Sequence, residues 1–236
     1  MTETTNLSLP LLAASQAQKH VIVNEALQRL DGVVQLTLRS RSQTTPPGTV
    51  LEGDCFGVPA NAVNDWAGRD GDVAQFVNGG WAFFTPQAGW RAFVADTGTV
   101  DLHDGGGWRA GGLSAAPGGG GMAMQSLEAD ISITAGATVR ASLSFPARAL
   151  VLGATGRVTN AITGTLTDWR LGDSVSDTRF GDGLGIAQNS WISGPVNPFV
   201  VWASTPLVLT ANGGDFADGT VRIAIHYAQF TIPDAV

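Results

Sequence analysis

The stretch LGDSVSDTRFGDGLG, residues 171–185, places three carboxylates, Asp173, Asp177 and Asp182, within ten positions. Gly181 lies between them, and Gly172, Gly183 and Gly185 flank them. Oxygen ligands on flexible loops of this kind suit calcium, although the spacing is not that of an EF-hand. The simpler reading is a solvated, turn-rich loop in which Arg179 balances part of the charge. Paired carboxylates also hydrolyse glycosides, but only at a fixed separation that loop spacing does not set. No metal site is assigned to this loop.

Its flanks have more binding character. Trp169-Arg170 precedes the loop, Phe180 lies in it, and Asn189-Ser190-Trp191 follows. A sugar asks for this combination: a ring covers its C–H face, and planar polar groups bond its hydroxyls. The candidate carbohydrate-binding residues are Trp169, Arg170, Asp177, Arg179, Phe180, Asn189 and Trp191. Trp191 sits in the irregular stretch QNSWISGPVNP and is the best placed for exposure. Trp169 and Trp191 each divide evenly between core and ligand platform. Trp202, inside FVVWAS, is expected in the core.

Other chemistry finds little support. His20, His103 and His226 fall in different elements, so a three-histidine zinc site would need distant segments to converge. No G-x-S-x-G elbow accompanies them. Cys55 is the only cysteine, which excludes a disulfide framework and a thiolate zinc site within one chain. No catalytic residue and no cofactor is assigned. Lys19 and His20 are adjacent, so on a helix their side chains diverge by about 100°. Glu25 lies off their face as well. The three form no constellation, and the helix that carries them reads as a docking or oligomerisation element.

That helix opens the chain. Ser15 with Gln18 fits a capping box, Val23, Ala26, Leu27 and Leu30 follow helical spacing, and Gly32 is a plausible stop. VVQLTLR then alternates as a half-buried strand. Gly80-Trp81, Gly89-Trp90 and Gly107-Trp108 repeat a Gly-Trp core, with Asn78-Gly79 and Asp104-Gly105 as hairpin signals. These predict a small antiparallel meander with its tryptophans clustered inside.

Residues 111–125, GGLSAAPGGGGMAMQ, read as a flexible linker. Beyond it LEADISI, TVRASLS, ALVLGA, TGTLTDWRL, FVVWAS, PLVLTA and GTVRIAIHYAQF read as strands separated by turn signals. In the last, Val221, Ile223, Ile225 and Tyr227 share one face, and Arg222, His226 and Phe230 the other. The predicted fold is mainly β: an N-terminal helix plus a small antiparallel β module over 1–110, the linker over 111–125, and an antiparallel, jelly-roll-like β-sandwich over 126–236.

The 236 residues are only 14 % charged, with 31 glycines and a net charge of −7. Residues 1–110 hold 7 basic and 11 acidic side chains, and residues 111–236 hold 6 and 9. Neither half is a basic footprint, which argues against nucleic acid as a partner. No apolar run is long enough to insert in a membrane, and the first residues lack a signal-peptide pattern. Synthesis in the cytoplasm is expected.

LPLLAASQAQKHVIVNEALQRLDGVVQL resembles the opening of a family found in prophages and gene transfer agents, which carries Q-A-Q-K-H and N-E-A-L blocks in this order. Gly53-Asp54 with Val58-Pro59, Trp66 to Asp70, and Gly79 to Ala92 are similar to its next module. The resemblance covers about residues 7–110 and carries over no catalytic residue. It implies a head-spike or fibre component of a phage-like particle released from the cell, binding the capsular polysaccharide of a recipient cell. The implied partners are that polysaccharide, another spike, fibre or capsid protein, and further copies of the chain. Weak single contacts gain from multiplicity, which predicts a homo-oligomer. A trimer suits a fibre, and a pentamer would suit a five-fold vertex. The alternatives are a capsule-degrading glycoside hydrolase or esterase of the same particle, and a structural adaptor that binds no sugar.

Overall fold

A computed structural model describes residues 2–12, 19–233 and 235. The chain divides into two compact units, Met1–Ala116 and Pro117–Val236. The boundary falls inside the predicted linker, but the linker itself is much shorter than expected. Gly112–Ala115 and Gly121–Ser132 are strands, leaving only residues 116–120 outside them. Residues 121–126 are held by backbone pairing along Thr231 to His226, which needs no large side chain.

In the first unit, α1 (Lys19–Val33) is followed by β1 (Thr37–Leu38), β2 (Cys55–Gly57), β3 (Val73–Val77), β4 (Gly80–Phe84), β5 (Arg91–Val94), β6 (Thr99–His103), β7 (Trp108–Arg109) and β8 (Gly112–Ala115). Seven of these strands form one sheet in the order β4-β3-β2-β1-β5-β6-β7. This is not one meander. Two antiparallel three-strand runs flank β1, which pairs in parallel with both β2 and β5. The strand predicted over VVQLTLR shrinks to two residues because Gln35 adopts a left-handed backbone (φ 55°). The tryptophans also divide. Trp66 is fully buried and meets Trp81 edge-on at 5.2 Å, while Trp90 and Trp108 pack on a separate cluster around Leu38, Val73 and Val94.

The helix runs through Gly32 rather than stopping there. A Cβ at Gly32 would overlap the side chain of buried Gln75, so the residue is small for packing. The expected capping pair Ser15–Gln18 lies outside the described residues, as do the side chains of Lys19 and His20. Polar residues of α1 tie down the segment before it. The Asn24 side chain both accepts from the Leu12 N–H (2.8 Å) and donates to its carbonyl (3.0 Å). The buried Asp31 carboxylate accepts from the Thr4 hydroxyl and from the backbone N–H groups of Asn6 and Leu7.

The second unit holds β9 (Gly121–Ser132), β10 (Thr138–Phe145), β11 (Ala149–Gly164), β12 (Asp168–Gly172), β13 (Gly181–Leu184), β14 (Trp191–Val201), β15 (Thr205–Asn212) and β16 (Phe216–Thr231). These strands make two antiparallel layers, β14-β11-β16-β9 and β10-β15-β12-β13. That is the jelly-roll order, with the third and eighth strands central in one layer and the fourth and seventh central in the other. Alternation fills the space between the layers. Val221, Ile223, Ile225 and Tyr227 point in from β16, with Leu207 and Leu209 from β15 and Trp169 and Leu171 from β12. Among the described residues, no helix is long and apolar enough to cross a membrane.

Candidate functional site

The seven predicted carbohydrate-binding residues do not meet. Trp169 is fully buried, and its indole N–H donates to the Gly185 carbonyl at 3.1 Å. Phe180 is 1 % exposed and packs on Phe145, with ring centroids 5.6 Å apart. Neither ring can cover a sugar. Strand parity explains Trp169: in β12 it points the same way as buried Leu171.

The acidic loop is closed by its own arginines. Asp173 accepts the N–H groups of Val175 and Ser176, and pairs with Arg179 at 2.6 Å. The Arg179 guanidinium also lies 4.5 Å from the centroid of Phe199. Arg170 bonds Asp177 at 3.0 Å and Asp182 at 3.1 Å, and reaches Asn212 on the neighbouring strand. Each of the three carboxylates is thus spent on an arginine. Among the described residues, no group of His, Cys, Asp or Glu could hold a metal ion. Arg170 and Asp177 remain as a polar network on the outer face of the β10-β15-β12-β13 layer.

Trp191 lies on the opposite layer and is 68 % exposed. Asn189, with a left-handed backbone (φ 70°), turns the chain into β14, so Ile192 and Gly194 face inward and Trp191 outward. A Cβ at Gly194 would overlap the Phe180 carbonyl, which fixes how closely this strand lies on the loop. Trp202 is also on the surface, at 80 %, against expectation. It lies just beyond β14, whose last inward residue is Val201.

Register places four side chains in a row across the outer face. Trp191 is opposite Arg157 on β11, Arg157 is opposite Arg222 on β16, and Arg222 is opposite Asp130 on β9. Arg222 holds Asp130 through two hydrogen bonds, 2.7 and 2.8 Å, and these keep the carboxyl below its ordinary range. Arg157 donates to the Asn189 carbonyl at 3.2 Å. Trp191, Arg157 and Arg222, together with Glu128 and Thr155, line a shallow depression of about 530 Å³. The strand pattern in the sequence ends at Ala154, ten residues short of the strand's end at Gly164, and so gives Arg157 no signal.

One step along the same face, His226 bridges two hydroxyls: Ser126 on Nδ1 at 2.7 Å and Thr155 on Nε2 at 2.9 Å. Both ring nitrogens are therefore engaged, and neither is left for an orienting carboxylate. In the first unit, burial pushes the Cys55 thiol up to about 12, helped by Asp54 and Asp31 and opposed by Arg39. It is the opposite of an activated nucleophile.

Residues 23–109 match the family model described as "Protein of unknown function (DUF2793)". That span covers α1 from its fifth residue through β7. In this matched segment the residues quoted for the resemblance are mostly structural: Asn24 clasps Leu12, Asp54 pairs with Arg39, and Trp66 is core. A search of curated proteins finds no match. Among solved structures, the chain is similar to one described as "Cyanophage Pam1 capsid asymmetric unit". That likeness is at 21 % identity and a TM-score of 0.32, and it covers 52 % of this chain and 87 % of the matched chain.

Proposed function

We propose that this chain is a receptor-binding component of a phage-like particle. Its second unit holds cell-surface polysaccharide on the β14-β11-β16-β9 face. The observation that carries the reading is Trp191: a large ring, mostly exposed, at the edge of a depression floored by arginine, threonine and carboxylate side chains. An exposed ring next to fixed hydrogen-bonding groups suits a pyranose, with the ring on its C–H face and the polar groups on its hydroxyls. The particle context rests on the QAQKH and NEAL blocks quoted above. The first unit supplies a docking surface, since Val21, Ile22, Val23 and Leu30 of α1 are apolar and exposed. Several copies on one particle would convert a weak site into firm attachment.

The test is binding of the labelled chain to encapsulated recipient cells and to a capsule-free mutant. Binding that needs capsule and is lost in Trp191→Ala supports the reading. Equal binding to capsule-free cells overturns it. New reducing ends or released acyl groups on incubation with purified capsule would replace it with the hydrolase or esterase alternative.

A further inference from the structure

Resting on that reading, we infer that the Trp191 face is built for an acidic polysaccharide and that Arg157 receives the carboxylate of a uronic-acid residue. The argument turns on the state of the two arginines in the row. Arg222 is already satisfied by Asp130 in a two-bond clamp, with Glu128 3.7 Å away. Arg157 has no such partner. Among the described residues its side chain makes one hydrogen bond, to a backbone carbonyl, and no carboxylate lies within ion-pairing distance of it. The Asn189 carbonyl holds Nη1, which orients the guanidinium without neutralising it.

A guanidinium held in one orientation presents a planar fork of donors that matches a carboxylate in two-point contact. Arg157 is the register partner of Trp191 on the neighbouring strand, about 4.8 Å away at the backbone, so both side chains rise side by side from the outer face. A single sugar therefore stacks on the ring and places its C6 carboxylate on Arg157. The next residue of the polymer then passes toward Arg222, Glu128 and Thr155. Glu128 accepts hydroxyl hydrogen bonds there but repels a second carboxylate. The face thus suits one acidic sugar beside a neutral one better than a run of acids.

The test uses the whole chain and calorimetric or NMR titration with three acidic probes: oligogalacturonate, alginate oligosaccharides and hyaluronan fragments. Each is paired with its carboxyl-reduced form. The expected result is binding of at least one acidic probe, weakened about tenfold or more by carboxyl reduction and by Arg157→Gln, and weakened by added salt. Glu128→Gln strengthens binding of the uniformly acidic probes a few-fold and leaves the reduced forms unchanged. Trp191→Ala abolishes binding of acidic and reduced forms alike. If reduced probes bind as well as acidic ones, or Arg157→Gln binds as the parent does, the acid preference is wrong while the glycan-binding reading stands. If neither these probes nor purified capsule bind at all, both fall. Unchanged thermal unfolding of Arg157→Gln excludes misfolding as the cause of a loss.

Discussion

Arg41 and Asp101 form a pair in which the carboxylate has no solvent exposure, with the guanidinium Nε 2.6 Å from Oδ2. The Thr99 hydroxyl donates to the other carboxylate oxygen at 2.7 Å. Removing one partner of a buried pair strands the other's charge, which costs about 3–5 kcal/mol. Arg41→Met is expected to destabilise the first unit toward the lower end of that range, because the arginine is partly exposed. The double variant Arg41→Met with Asp101→Leu is expected to recover most of the loss. Urea denaturation of the two variants checks this, and a double variant as unstable as the single one contradicts it.

Trp169 and Trp191 make a paired experiment. Trp169→Ala empties a core site and loses the bond to Gly185, at a cost of about 3–5 kcal/mol. Trp191→Ala leaves stability within about 0.5 kcal/mol, as surface substitutions usually do. Sugar binding should fail in the second variant with the fold intact. Chemical denaturation followed by tryptophan fluorescence measures both.

His103 gives the first unit a pH dependence. The imidazole is buried, stacks edge-on against Trp108 at 5.1 Å, and accepts the Gly105 N–H on Nδ1. Burial lowers its pKa, against upward pushes from Asp104 and a contact with the Gln87 backbone. The folded state therefore binds the proton more weakly than the unfolded chain. Stability is full above the unfolded value, about 6.5, and falls as pH drops through it toward the lower folded value. Thermal unfolding between pH 7.5 and 5 should show that loss, and His103→Gln should flatten the slope.

Cys55 should be silent toward iodoacetamide at pH 8 while the chain is folded and react fully in denaturant. A thiol raised to about 12 offers almost no thiolate at that pH. Intact-mass measurement before and after unfolding decides it. Rapid alkylation of the native chain would place the thiol outside the core.

Much of the second unit was legible because a sandwich strand announces its faces by parity. Val221, Ile223, Ile225 and Tyr227 alternate with Arg222 and His226 in the sequence as they do in β16. The proposed binding face is harder to read. WISGPVNPFVV breaks the alternation with glycine and prolines, and the far half of β11 is too polar to announce a strand, so Arg157 went unseen. Side chains close in sequence, from Trp169 to Trp191, looked like one cluster. The pleat sends neighbours to opposite surfaces, and the two layers carry Arg170 and Trp191 apart. Conversely, the contact that matters joins positions 92 residues apart, Asp130 and Arg222, which spacing along the chain cannot reveal. In the first unit the hairpins were visible as Asn-Gly and Asp-Gly turns. The parallel pairing through β1 was not, because two residues carry no pattern.

Each member of the Trp191–Arg157–Arg222–Asp130 row is followed along its strand by a residue committed to the interior: Ile192, Val158, Ile223 and Ile131. Mutations that rewrite the outward positions leave the inward ones alone. On the proposed reading, a lineage facing a host that alters its coat retunes what it recognises one exposed side chain at a time, while the scaffold that keeps those positions in line stays as it is.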